Sequence, residues 1–198
     1  GFPILADPLS GLRAGPHDRS LVIDSYDAFL RDASFVERHA PELVLRFGAM
    51  PVAKPLLLFL QRHAASRQIL VDGDGGWNEP TLLAAEVLHA DARLLCESLL
   101  AELAGLPQSV QSVQSVDHSW LSAWLAAHER TRAAISGHMR ATGELFEGRV
   151  FAELAELLPD GALLYAGNSM PIRDLDTFFA GGERAVRAGT DIGGPNSC

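Results

Sequence analysis

Cysteine is nearly absent from this sequence: of 198 residues, only Cys96 and Cys198 carry a thiol. Two such thiols cannot build a disulfide framework, so a reducing compartment is expected, and Cys96, inside an apolar helical pattern, reads as a small core residue. Lysine is scarcer still. Lys54 is the only one among sixteen basic residues, and 25 Asp and Glu leave a formal charge of −9. That balance excludes nucleic acid as the main partner, because phosphate neutralisation needs clustered Lys and Arg. Long hydrophobic runs are missing too: the longest, residues 55–60, falls far short of the roughly 20 residues that a membrane-spanning helix requires. No basic-then-apolar signal pattern opens the chain, so a cytoplasmic placement without a membrane span is expected. Nucleotide motifs are also lacking, since no Gly-x-Gly-x-x-Gly opens a helix after a strand and no phosphate-cradling loop ends in Gly-Lys-Ser/Thr. His118, His128 and His138 fall at ten-residue intervals, which turns each about 80° from the last on a helix and gives no metal-ligand pairing.

What is present is an ordinary packed domain: 47% hydrophobic, 21% charged, with a mean hydropathy of +0.10. The length fits a single core, which holds up to roughly 250 residues. Short β-rich runs alternate with helical patterns, the mark of a parallel sheet covered on both faces. The expected fold is therefore α/β, a single doubly wound, mostly parallel sheet of about six strands. Strands are expected at residues 2–5, 43–47, 69–71, 86–89 and 163–166, with a weaker sixth at 185–187. Helices are expected at 26–30, 52–63, 92–103, 120–139 and 150–158. In the long helix, Trp120 and Trp124 read as packing anchors. The thrice-repeated Gln-Ser-Val of residues 108–116 reads as a loop, and Asp117 as an N-cap for the helix after it. A chain that begins Gly1-Phe2-Pro3-Ile4-Leu5, without Met, reads as a piece excised from a longer protein.

Open parallel sheets collect ligands at the carboxyl ends of strands, where helix N-termini supply positive potential. Three segments qualify. In Gly167-Asn168-Ser169-Met170-Pro171-Ile172-Arg173, a strand runs into a turn and then into Pro at a first helical position, so Asn168 or Ser169 can cap the helix. Ser169 and Arg173, four residues apart, can offer a hydroxyl and a guanidinium fork to one carboxylate. The bland alternative is a surface Arg173 paired with Asp174 or Asp176. Lys54 follows the strand at 43–47 by the same logic, with Pro55 biasing the helix to begin after it; a solvated lysine is the alternative there. Asp72-Gly73-Asp74-Gly75-Gly76 lacks the further ligands of a calcium loop and reads as a turn.

Taken together, Gly167 to Asp176, the opening Phe2 to Arg13, and Arg46-Phe47-Gly48 through Lys54 resemble the central domain of the MenD family, the 2-succinyl-5-enolpyruvyl-6-hydroxy-3-cyclohexene-1-carboxylate synthases. The resemblance implies residues 1–187 as the central α/β domain of a three-domain enzyme, with 188–198 a truncated linker or appended tail. It implies thiamine diphosphate and Mg²⁺ or Mn²⁺ held by the N- and C-terminal domains of a homodimeric or homotetrameric parent, with no catalytic, cofactor-binding or metal residue in this chain. The implied chemistry decarboxylates 2-oxoglutarate and adds the succinyl carbanion equivalent to isochorismate. Ser169, Arg173, Lys54 and Asn168 would be substrate-binding residues that orient and neutralise carboxylates, and the chain alone would be inactive. The final residues depart from the family pattern, and Arg187 is a poor substitute for an arginine expected there. A competing reading is a regulatory α/β module that binds an acidic metabolite of the menaquinone pathway.

Overall fold

The structure, a computed structural model, describes residues 2–76, 79–106 and 118–190. Seven strands and seven helices are assigned there: β1 (Ile4–Leu5), β2 (Val22–Ile23), α1 (Tyr26–Phe29), α2 (Ala33–Arg38), β3 (Leu43–Phe47), α3 (Lys54–Arg62), β4 (Arg67–Val71), β5 (Ala84–Leu88), α4 (Ala92–Gly105), α5 (His118–Ala141), α6 (Glu147–Leu157), β6 (Leu163–Ala166), α7 (Met170–Phe178) and β7 (Arg187–Thr190). Every strand pairing among the described residues is parallel, so the α/β class and the parallel sense are as expected. The hydrogen-bonded ladders, however, are three, β1-β2, β3-β4-β5 and β6-β7, where one sheet of about six strands was expected. β1 and β2 are two residues each, which leaves few backbone groups to pair outward and continue a ladder.

Local chemistry explains the boundaries. Asp32 and Asp91 cap α2 and α4 by accepting from the backbone N–H of Ser34 and Leu94, which satisfies donors that a helix start leaves open. α3 begins at Lys54, inside the 52–63 expected from periodicity and one residue before the start at Pro55 that the pre-proline bias would give. The pre-proline bias is a preference, and in the first turn the missing proline N–H costs no helical hydrogen bond. β7 continues through Thr190, past the 185–187 expected for the sixth strand.

Two apolar clusters hold the elements. The larger joins Ile23, Tyr26, Phe35, Phe59 and Trp124 from β2, α1, α2, α3 and α5, and the smaller joins Ala166, Ile172, Leu175 and Phe179 around α7. Each large side chain taken from water contributes roughly 1.5–3 kcal/mol before entropy is counted. Trp124 serves as the expected anchor, and Trp120 packs beside it. Cys96 corrects the sequence reading: it is exposed, because α4 buries none of its residues. The 108–116 loop, the Asp117 cap and residues 191–198 lie outside the described residues.

Candidate functional site

β3 and β6 each end in a glycine-containing turn that hands the chain to a helix, and the two helices form facing walls of one cleft. Gly48, at φ +71°, makes the first turn in a backbone region that favours glycine. Lys54 stands at the first position of α3 and Arg173 at the fourth of α7. Both line a cleft of about 860 Å³, whose walls also include Leu30, Val36, Leu58, Phe59 and Met170. Arg31 and Arg62 lie on the same cleft but are committed to exposed ion pairs with Asp27 and Glu37. Among the described residues Lys54 and Arg173 have no ion-pair partner, and both are exposed. The alternative pairing of Arg173 with Asp176 does not form, because Asp176 is taken by Arg13. The lining also carries Asp27 and Asp176, each taken by an arginine, and Asp174; a trough of apolar side chains with two uncommitted cations suits a partly hydrophobic carboxylate.

Ser169 and Asn168 are exposed and are not among the cleft-lining residues, although Met170 beside them is. Ser169 occupies the N-cap of α7 without a side-chain capping bond, contrary to expectation; the Asn168 side chain instead accepts from the Ser169 N–H at 2.9 Å. The reason is its backbone, at φ +72° and ψ −118°, a region that costs a residue other than glycine about 1–3 kcal/mol. The hydroxyl is thereby left without a capping bond to the helix, on an exposed residue.

The end of β1 braces this arrangement. Asp7 accepts from the Val52 N–H at 2.8 Å, fixing the approach to α3. Arg13 is buried, donates to the Ala6 carbonyl and to the Asp176 carbonyl, each at 2.7 Å, and pairs with the Asp176 carboxylate. Arg132 donates to Asp24 at 2.6 Å and to the Thr177 carbonyl at 3.0 Å. Burial pushes the Asp176 carboxyl up to about 6, with Arg13 holding it from rising further. Burial also acts to raise Asp24, but Arg132, Arg13 and the Gly181 N–H outweigh it and hold that carboxyl below its ordinary range. Burial and nearby Glu147 raise Asp174 on the cleft wall.

Ser25, His128 and Asp24 form a cluster that imitates a nucleophilic triad in composition only. The Ser25 hydroxyl and the Asp24 carboxylate both approach Nδ1 of His128, at 2.9 and 3.6 Å, whereas a triad needs the two partners on opposite ring nitrogens. Ser25 is also buried. Asp72 accepts from the Asp74 N–H, so that loop is the expected turn. No group of three or more His, Cys, Asp or Glu converges to hold a metal among the described residues.

No family model matches the sequence. Curated relatives do: the chain is 50% identical over 186 residues to the 2-succinyl-5-enolpyruvyl-6-hydroxy-3-cyclohexene-1-carboxylate synthase of Geobacillus thermodenitrificans, covering 94% of this chain and 30% of that protein. It is 50% identical over 178 residues to the synthase of Chloroflexus aurantiacus and 52% over 186 residues to that of Geobacillus kaustophilus. The chain is a homologue of one stretch of these synthases. It spans about 30% of their length. The segment is α/β, and no helix among the described residues is long and apolar enough to cross a membrane.

Of the four substrate-binding residues that the synthase resemblance implied, the fold brings Lys54 and Arg173 to one cleft, while Ser169 and Asn168, in the turn before Met170, are not among its lining residues. Sequence reasoning missed Asp7 and Arg13, although both lie in the Phe2 to Arg13 segment that resembled the synthases. An aspartate just past the end of a strand, before Pro8, was the available signal for Asp7. Nothing local marked Arg13, whose partner Asp176 lies 163 positions away.

Proposed function

We propose that residues 1–187 are the central domain of a synthase that decarboxylates 2-oxoglutarate and adds the succinyl unit to isochorismate. In this reading the chain supplies scaffold and substrate contacts, and neighbouring domains hold thiamine diphosphate and Mg²⁺, which together supply the electron sink for decarboxylation. The observation that carries it is the placing of Lys54 and Arg173, from two strand ends, on one cleft, with no ion pair to either among the described residues. Arg173 and Lys54 bind and orient carboxylates of isochorismate; the Ser169 hydroxyl, held out by its backbone, and the Asn168 amide serve the rim. None of the four moves a proton. Their work is to fix the acceptor ring where the nucleophilic carbon arrives, which lowers the entropic part of the barrier.

The test uses the full-length enzyme. Arg173→Ala should raise the isochorismate KM roughly 10- to 100-fold, the loss of one charged hydrogen-bonded contact, and leave thiamine-diphosphate affinity intact. Unchanged isochorismate kinetics would remove Arg173 from the site. The isolated chain should fold yet show no 2-oxoglutarate decarboxylation with thiamine diphosphate and Mg²⁺ added. The apolar walls also favour a regulatory reading, in which the cleft holds an acidic pathway product. Calorimetric titration that gave product binding without isochorismate binding would favour it.

A further inference from the structure

The cleft's two walls are tied to one loop. At the end of β1, the Asp7 carboxylate accepts from the Val52 N–H, which leads into α3 and Lys54. From the same loop, Arg13 reaches α7, the wall that carries Arg173. Its three contacts are the Ala6 carbonyl, the Asp176 carbonyl and the Asp176 carboxylate, and its guanidinium carbon lies 5.9 Å from the centre of the Tyr26 ring. The contact with α7 falls where the helix ends. The carbonyls of its last turn have no partner within the helix, and a cation there also meets the negative end of the helix dipole. Arg13 takes the carbonyl of Asp176, and Arg132, anchored to Asp24 beyond β2, takes that of Thr177. The start of α7 is attached covalently to β6 and its buried face packs on α6, and Arg13 and Arg132 hold its far end, which sets the final tilt and rotation of the helix. Arg173 sits one turn from Asp176 on that rigid rod. A change in the grip at Asp176 therefore turns the Arg173 guanidinium relative to Lys54.

We propose that Arg13 is a positioning residue for isochorismate, acting through α7 to set the separation of Arg173 from Lys54; this rests on the anion-cleft reading above. The test is a double-mutant cycle in the full-length enzyme with Arg13→Lys and Arg173→Ala. Lysine keeps the charge beside Asp176 but cannot span both carbonyls and the carboxylate with a planar fork. Arg13→Lys should raise the isochorismate KM about tenfold while kcat and thiamine-diphosphate affinity stay within twofold. Combined with Arg173→Ala it should add nothing beyond Arg173→Ala alone, because a misplaced group and a missing group fail in the same way. If Arg13→Lys instead lowers kcat with the folded fraction and leaves KM alone, or if the two effects multiply, Arg13 is structural and the proposal falls. An Arg173→Ala variant with unchanged KM would overturn the cleft reading itself and the proposal with it, a result distinguishable from the previous two. Should Arg13→Lys not fold, Asp176→Asn, which keeps the backbone carbonyl and removes the ion pair, enters the same cycle with the same three outcomes.

Discussion

Truncating Trp124 to alanine should be among the most damaging single changes in the chain. Trp124 is 1% exposed, and its ring meets those of Phe29, Phe35 and Phe59 edge-on at centroid distances of 5.8, 5.2 and 5.7 Å. These partners come from α1, α2 and α3, so one side chain on α5 locks three helices. Trp→Ala in a core costs about 3–5 kcal/mol, and the edge-on pairs contribute about 0.5–1.5 kcal/mol each within that range. A loss of about 4 kcal/mol is expected, roughly a thousandfold in the folding equilibrium. With a urea slope of about 2 kcal/mol/M, the unfolding midpoint should fall by about 2 M at unchanged slope. Trp124→Phe should cost under about 2 kcal/mol, because it also removes a buried indole N–H that has no partner among the described residues. A midpoint shift below about 0.5 M for Trp124→Ala would refute the view that this aromatic cluster is the principal core.

Ser169→Gly should raise stability by about 1 kcal/mol in urea unfolding, since glycine accepts the positive φ without strain, while the isochorismate KM of the full-length enzyme rises with loss of the hydroxyl. Gly148→Ala should destabilise the α6–α7 contact by about 1–3 kcal/mol, because a methyl there would run into the Phe178 ring; a variant as stable as the parent would show that Phe178 can move aside freely. Asp176 has a folded pKa raised to about 6 from an ordinary 3.8, so the folded state holds the proton more tightly than the unfolded one. Its contribution to stability is full below about pH 4 and falls as pH rises through 6, by up to about 3 kcal/mol. Asp176→Asn should abolish that slope between pH 4.5 and 7, and an unchanged slope would reassign it to another group. Asp24 acts with the opposite sign: its depressed pKa stabilises above about pH 4 and that contribution is lost on further acidification.

Much of this fold was legible where side-chain period and turn chemistry agreed. The apolar run at 43–47 closed by Gly48 and the run at 163–166 closed by Gly167 match β3 and β6 residue for residue. β2 and α2 escaped, because two residues show no period and the six of α2 show its first clear signal only in the Asp32 cap. The strand-end rule led to Lys54 and Arg173 for a physical reason, since a parallel strand delivers its following loop and helix start to its carboxyl end, where ligands collect. The rule carries no information on long-range ion pairs. Arg13 looks like any loop arginine until the fold sets it against Asp176. Cys96 misled for the converse reason: an apolar helical pattern predicts a face able to pack, and no face of α4 is packed here.

That bare helix has a consequence for handling the chain. Fourteen residues, none of them buried, with the Asp91 cap and an exposed Arg93–Glu97 pair for support, are near the shortest length at which a weakly packed helix persists in water. α4 should therefore open far more readily than the body of the domain, its amides trading protons with solvent at low local cost. Chymotrypsin, offered Leu99, Leu100 and Leu103 on the surface, should make its first cut there and leave the Trp124 core whole.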